Sequence, residues 1–508
     1  MTLIQDVCHQ AVRNHGNRIA FDSLDSQVTF DQLWDRITHV AGALSNLGIK
    51  KGDRVGILSN NCADYIVYHY ATAKVGAILL VLNTRHAMDE LLWALNDAEA
   101  SVLVIGEDFE SILGELKKGC ASLNFTIGIG SVRNGDYSTR ELVELQQQMA
   151  EVPDLSEKDP VLLIYTSGTT GRPKGALQTH EGSVMVDQLT ADILETSPDD
   201  VYLAFMPYFH QAGLIRTRAT MLNGGTNLVA GKMDPESLVS FIDRKKVSIT
   251  MLVPPFDALL IKIADRDRLT LPSLRFIVGF GGGGPAHAEQ MKSFCQRFNC
   301  RYMGVYGQTE VTGPATIITD ADYFSKPYSC GKAMDGIDLE IWNEARKPVP
   351  NGTVGEIMIR SRTCISEYWK NEEASRSLFT GEWLNTGDLA KLDDDGFVYF
   401  MDRKKELIKT GGENVYPREV ENALQSHPSI AELVIIGLPD PEGWGEKVIA
   451  VVVLKEGQSL SLEEVKAYCQ GKIGGYKIPK SLQITDSIPR NHTGKILKRV
   501  LRDQFKNI

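Results

Sequence analysis

The sequence predicts an α/β protein. A large amino-terminal domain of sheets and helices, ending in a β-rich, barrel-like lobe, spans residues 1–401, and a small α+β domain spans 402–508. Three observations predict this. Between residues 28 and 110, runs rich in Val, Ile and Leu alternate with segments whose apolar residues recur at helical spacing, the pattern of a largely parallel sheet covered by helices. From 331 to 400 the helical period gives way to short β-type runs separated by Gly, Pro and Asp. Beyond the charge cluster Asp402-Arg403-Lys404-Lys405, helix and strand alternate again over about the length of one small domain. A chain of 508 residues also exceeds what one core usually supports.

Taken in order, MTLIQDVCHQAVRNHG reads as an amphipathic helix and lacks the basic start and apolar core of a signal peptide. VGILSNN is a strand and turn, CADYIVYHYATAKVGA a helix, ILLVLN a strand, RHAMDELLWALNDAEA a helix and SVLVIGE a strand. Residues 120–158 are polar and weakly periodic, as suits a peripheral strand, helix and loop. DDVYLAFMPYFHQAGLI gives a strand, a proline-bounded turn and a helix start. MLNGGTNLVAG, VSITMLVPPF and LRFIVGFGGGG are three further strand-and-turn units. Gly279, Gly281 and Gly284 match GxGxxG, yet CRYMGVYG, where a dinucleotide fold needs an acidic residue, has none, which excludes dinucleotide redox chemistry as the main reading. DLEIW, GEIMIR, WLNTGDLAKLD and GFVYFMD supply the β-rich lobe. REVENALQSHPSI, ELVIIGLPD, KVIAVVVLK and LEEVKAYCQGKI supply the small domain.

Composition narrows the function. With 43% hydrophobic and 23% charged residues, the chain has ordinary globular proportions. A net charge of −11 argues against a nucleic-acid partner, which would want a basic face. No apolar run is long enough for a transmembrane segment. Eight scattered cysteines without a CxxC pair read as reduced thiols in a cytoplasmic protein.

The chemistry centres on VLLIYTSGTTGRPKG, 161–175. An apolar run opens into hydroxyls, glycines and one lysine. Gly168 and Gly171 let backbone N–H groups turn toward one point; Thr166, Ser167, Thr169 and Thr170 add hydroxyl donors; Lys174 adds a positive charge. These parts suit a polyphosphate. The spacing is not that of a Walker loop, because Gly175, not Ser or Thr, follows the lysine. In Tyr306-Gly307-Gln308-Thr309-Glu310 the phenol suits stacking on adenine, Thr309 suits a phosphate, and Glu310 beside a triphosphate suits holding Mg²⁺. Asp388, in Thr386-Gly387-Asp388, suits accepting two ribose hydroxyls, and Arg403 is placed to reach the same ribose.

YTSGTTGRPKG resembles the signature loop of the adenylate-forming enzymes: acyl-CoA synthetases, adenylation domains of peptide synthetases and beetle luciferases. YGQTE, TGD, GGENVYPREVE and PRNHTGKILKR match further family motifs in the family's order, so the resemblance covers the whole chain. It implies that Gly282, Gly283 and Gly284 belong to the adenine-binding segment and that His210, in PYFH, lines the acyl pocket near the carboxylate. It further implies that Asp402 is a hinge, that Gly411 and Gly412 face the active site in one of two domain poses, and that Lys495 reaches the α-phosphate. Lys174 then serves the β- and γ-phosphates. An aspartate of the peptide-synthetase type is missing after His210, which disfavours an amino-acid substrate.

Other acyl-pocket candidates are Gln211, Gly213, Phe256, Gly279, Phe280, Gly281, Val311 and Thr312. The small residues around 279–284 suggest a roomy pocket and a medium-chain, alicyclic or aromatic acid. Arg216 is expected to face solvent or a helix end, the alternative being a second substrate carboxylate. Trp444 lies where CoA ligases often place an aromatic residue, and Arg85 and Lys477 are candidates for CoA phosphates. The resemblance thus implies ATP, Mg²⁺ and CoA acting on a carboxylic acid through acyl-AMP, and leaves a homodimer open. A stand-alone adenylating enzyme loading a carrier protein, and a luciferase-like monooxygenase, are the competing readings.

Overall fold

The computed structural model describes residues 2–23, 26–149, 151–166, 173–231, 235–252, 256–410, 413–440, 445–490 and 496–506. It is mixed α/β, as the sequence pattern requires. A seven-stranded sheet runs in the order Tyr137–Ser138, Phe125–Ile129, Val102–Gly106, Arg54–Leu58, Ile78–Val81, Pro160–Thr166 and Lys174–Thr179. Its strands are parallel until the last pair, which is antiparallel. A nine-stranded sheet has a parallel centre formed by Arg301–Gln308, Phe276–Phe280, Ile249–Met251, Val201–Leu203, Thr226–Leu228 and Ile19–Asp22, with antiparallel strands at both edges.

One core joins the two sheets, holding Val55, Leu79 and Leu162 of the first and Tyr202, Ile249 and Val278 of the second. Helix Ala63–Val75 lies within that core. Every side chain from Tyr65 to Ala73 is buried, because an apolar surface on all sides can be covered only between two layers. Each large apolar side chain so buried contributes about 1.5–3 kcal/mol. Gly76, at φ 74°, ends the helix in the left-handed conformation that glycine adopts without a Cβ clash.

The β-rich region is an antiparallel five-stranded sheet of Asp338–Trp342, Gly355–Arg360, Phe379–Thr380, Trp383–Leu392 and Val398–Arg403. From Ile408 the chain forms a hairpin, Ile408–Thr410 with Glu413–Val415, and a sheet of Ile430–Pro439, Glu446–Leu454 and Ser481–Ile484. Among the described residues, the core clusters formed from Ile408 onward contain no buried residue from earlier in the chain. No described helix is long and apolar enough to cross a membrane.

Candidate active site

Strands Pro160–Thr166 and Lys174–Thr179 pair antiparallel on either side of the glycine-rich segment. Thr166 and Lys174 face each other in register at the ends of their strands, and the Thr166 hydroxyl donates to the Lys174 carbonyl at 3.3 Å. Ser167, Gly168, Thr169, Thr170 and Gly171 lie outside the described residues. The stem is anchored by Tyr165, whose hydroxyl donates to Asp97 at 2.5 Å and whose ring meets Trp93 edge-on. The outer edge of strand Lys174–Thr179 is covered by Tyr368 and Trp369, with the Trp369 N–H donating to the Gly175 carbonyl at 2.7 Å.

That edge contact delivers a residue the sequence did not disclose. The Tyr368 hydroxyl donates to Glu310 Oε1 at 2.8 Å, while the Lys174 ammonium sits 5.1 Å from the Tyr368 ring centroid. Burial, then the Glu310 charge, push the Tyr368 phenol well above its ordinary pKa. Glu310 occupies a single 3₁₀ turn, Thr309–Val311, closed by Thr312 at φ 57°. A β-branched residue in that region is strained, which marks the turn as held by its surroundings. Among the described residues Glu310 has no cationic ion-pair partner, and no cluster of three metal-ligating side chains occurs. A half-buried carboxylate with no protein cage among the described residues fits Mg²⁺, which keeps its waters and shares a substrate's phosphates.

The second carboxylate is set differently. Asp388 and Arg403 are register partners on neighbouring strands, with Arg403 Nε 3.3 Å from Asp388 Oδ1. Tyr306, from the other sheet, donates its hydroxyl to Asp388 Oδ2 at 2.8 Å. Gly387, at φ 70°, turns the chain so that its N–H meets Glu356, a buried acid that also binds Arg346 and Lys404. A cavity of about 280 Å³ opens here, lined by Thr386, Gly387, Asp388, Arg403, Lys404 and Lys405. A larger one, of about 560 Å³, lies between the five-stranded sheet and helix Pro417–Leu424, away from Glu310.

His210 caps helix Gln211–Leu222, and burial, followed by the charges of Arg85 and His86, lowers its pKa to about 4. Its Nε2 has no partner among the described residues, nor has Gln211 Oε1. The other end of the Gln211 amide donates to Gln178, whose own amide donates to the Thr309 carbonyl at 3.0 Å, tying the helix start to the Glu310 turn. Gln308 Nε2 beside that turn is likewise without a partner. Gly307 is dictated by backbone: a Cβ there would fall 2.0 Å from the Gly313 carbonyl.

Three of the small pocket candidates are dictated by packing. A Cβ at Gly213 would meet the Met206 and Pro207 carbonyls at 2.5 Å, at Gly279 the Tyr302 hydroxyl at 2.5 Å, and at Gly281 the Cys330 backbone at 2.7 Å. Protein atoms fill the Cβ side of each. Gly282 and Gly284 have φ of 74° and 85°, and Arg418 Nη2 donates to the Gly282 carbonyl at 2.5 Å; Gly283 packs on Tyr323 and His287. Val311 is buried in the core of the five-stranded sheet, and the Thr312 hydroxyl donates to the Thr363 carbonyl at 2.5 Å. Phe256 stacks on Phe205, 4.9 Å between centroids, and Phe280 is 53% exposed at the end of its strand. Arg216, expected at the surface, is 3% exposed, because the helix that carries it is covered on all sides.

Asp402 is buried within strand Val398–Arg403. It accepts the Arg403 N–H at 2.7 Å and the Arg418 N–H at 3.2 Å, and burial raises its pKa. Lys477 is paired with Glu419 at 2.6 Å, and Arg85 is exposed. Gly411, Gly412, Trp444 and Lys495 lie outside the described residues.

A family model described as AMP-binding enzyme matches residues 8–369, and the AMP-binding enzyme C-terminal domain matches 419–495. The chain is 32% identical to a long-chain-fatty-acid–CoA ligase of Mycobacterium tuberculosis, covering 95% of this chain and 94% of that one. It is 34% identical to a 2-succinylbenzoate–CoA ligase of Bacillus cereus, covering 96% and 95%. The solved O-succinylbenzoate coenzyme A synthetase of Bacillus subtilis, in complex with ATP and magnesium ion, is 28% identical, with a TM-score of 0.84 over 98% of this chain and 99% of that one. The chain belongs to the AMP-binding enzymes of the adenylate-forming superfamily, in their AMP-forming acyl-CoA synthetase branch.

Proposed function

We propose that this ligase activates a medium-chain, alicyclic or aromatic carboxylic acid to acyl-AMP with release of pyrophosphate, then passes the acyl group to CoA with release of AMP. One observation carries the placing of the nucleotide: the Tyr306–Asp388 hydrogen bond, between residues 82 apart, joins the segment holding Glu310 to the strand pair holding Arg403. That contact supports reading a carboxylate for ribose and a carboxylate for a cation as parts of one site. The exposed Phe280 and the Phe205–Phe256 stack at neighbouring strand ends support an apolar acyl group. The relatives named above act on a fatty acid and on 2-succinylbenzoate, so membership alone does not select the acid.

In this reading a carboxylate oxygen attacks the α-phosphorus and pyrophosphate leaves. Both reactants are anions, so the chain must gather positive charge at that point. Lys174 attends the leaving phosphates and Lys495 the α-phosphate, with Thr166, Ser167, Gly168, Thr169, Thr170 and Gly171 donating around them. Bound Mg²⁺, held by Glu310 together with the phosphates, would neutralise phosphate charge. Tyr306 lies along adenine beside Gly282–Gly284, and Asp388 with Arg403 holds the ribose. His210, neutral above about pH 4, lines the acyl pocket with Gln211. In the second step the CoA thiol gives its proton to solvent, its sulfur bonds to the acyl carbon, and the acyl–phosphate bond breaks to release AMP. Arg85, Trp444, Gly411 and Gly412 attend CoA; Lys477 does so only by exchanging Glu419 for a phosphate. The chain divides near Asp402, the pivot about which residues 402–508 turn between the two steps. The eight free cysteines suit a reducing cytoplasm.

A panel of carboxylic acids, read by ATP–pyrophosphate exchange and by AMP and acyl-CoA formation, tests this reading. Matched AMP and thioester formation is expected; exchange without transfer to CoA would favour a carrier-protein acceptor. Lys495→Ala should abolish exchange while thioester formation from supplied acyl-AMP persists. Equal loss of both steps would contradict the role given to Lys495.

A further inference from the structure

Two arginines lie two residues apart on helix Gln211–Leu222, both buried, and only one has a counter-ion among the described residues. Arg218, 0% exposed, grips Asp187 with two bonds, Nε to Oδ2 at 2.7 Å and Nη2 to Oδ1 at 2.9 Å, and its Nη1 lies 3.3 Å from His69 Nε2. Arg216, 3% exposed, donates only from Nη1 to the Ala212 carbonyl of its own helix at 2.9 Å. Its Nε has no partner, and no carboxylate pairs with it among the described residues. The nearby Tyr202 hydroxyl is also without a partner among the described residues. A guanidinium cannot shed its charge as a buried lysine can, so an unpaired one in a protein interior awaits an anion.

The position of Arg216 says which anion. Helical side chains lean toward the amino terminus, and the bond to Ala212 shows this one doing so. It therefore points toward the helix start, where His210 Nε2 and Gln211 Oε1 are also unpartnered. That start is tied through Gln178 to the Glu310 turn. We propose that the acyl substrate is a dicarboxylic acid whose second carboxylate is received by Arg216, with the Tyr202 hydroxyl donating beside it. This rests on the ligase reading, with the activated carboxylate at the helix start. Six residues at about 1.5 Å of rise set the two ends about 9 Å apart along the axis, and their roughly 240° of turn adds a sideways offset, so the two carboxylates stand on the order of 9 Å apart. Such a span suits a short linear, alicyclic or aromatic spacer.

The test uses the full chain in ATP–pyrophosphate exchange with matched pairs: α,ω-diacids of four to eight carbons, aromatic and alicyclic diacids of similar span, their monomethyl esters and the monoacids of equal length. At least one diacid should exceed its monoacid and its ester about tenfold or more in kcat/KM. Arg216→Met should collapse that ratio and Arg216→Lys should restore part of it. Because Met relieves a buried unpaired charge, Arg216→Met should not lower Tm, whereas a structural role for Arg216 requires a clear fall. Should Arg216→Met fail to fold, the proposal fails with it. Equal or better use of monoacids by the wild type, or a diacid preference that survives Arg216→Met, also overturns the proposal while leaving the ligase reading intact. Exchange with no acid of either kind would overturn both.

Discussion

Glu310 and Asp388 each accept one tyrosine hydroxyl at 2.8 Å, and there the likeness ends. Asp388 is 3% exposed and has a guanidinium on its other oxygen. Glu310 is only half-buried and has no ion-pair partner among the described residues; the Lys174 ammonium lies over the Tyr368 ring. A carboxylate already neutralised by arginine repels little and accepts hydrogen bonds well, which suits the uncharged hydroxyls of a sugar. One left unneutralised draws a cation to itself, and beside a triphosphate it needs one. The difference teaches that two acids in one site are assigned by their partners, not by their distance from the ligand.

The largest effect should come from the unneutralised acid. Glu310→Gln removes the charge and keeps the shape, and should lower the adenylation rate on the order of 10²–10³-fold. Stopped-flow or exchange measurements at saturating ATP read this. Asp388→Asn should act mainly on ATP binding, because a charged acceptor is worth about 1.5–3 kcal/mol, or roughly ten- to a hundredfold in affinity. A KM for ATP that does not move would break the comparison. Smaller still is Tyr368→Phe, which removes one donor from Glu310 and should cost about 1 kcal/mol, several-fold in rate, without moving the ATP affinity.

The smallest effect concerns pH. His210 in the fold takes a proton only near pH 4, whereas the unfolded chain does so near its ordinary value of 6.5. Between those values the unfolded state binds more protons, so His210 favours folding above 6.5 and that contribution is lost as pH falls toward 4. Calorimetry should find the fall in Tm across this window shallower in His210→Asn than in the wild type. An identical slope would show that His210 titrates normally.

Much of the architecture could be read from the chain, because buried parallel strands appear as unbroken Val, Ile and Leu runs and the helices between them keep their period. YGQTE and TGD announced Glu310 and Asp388 by residue chemistry. Tyr368 was invisible because it reaches Glu310 only after its segment pairs with the edge of strand Lys174–Thr179, almost two hundred residues earlier. The glycines at 213, 279 and 281 record close approach, and the sequence could not say that the atoms on the Cβ side are protein. Arg216 was misread as a surface residue. Gln, Arg and Thr letters over 211–220 look like a solvated face, yet the helix is buried throughout, with the Thr220 hydroxyl turned back onto the Arg216 carbonyl at 2.8 Å.

A Mg²⁺ titration of the adenylation rate at fixed ATP, run on the wild type, Glu310→Gln and Asp388→Asn, tests the division of labour most directly. The account predicts that Glu310→Gln requires at least tenfold more Mg²⁺ for half-maximal rate. Asp388→Asn should keep the wild-type Mg²⁺ dependence once ATP is raised to compensate for its weaker binding. Parallel shifts in both variants, or none in Glu310→Gln, would contradict it.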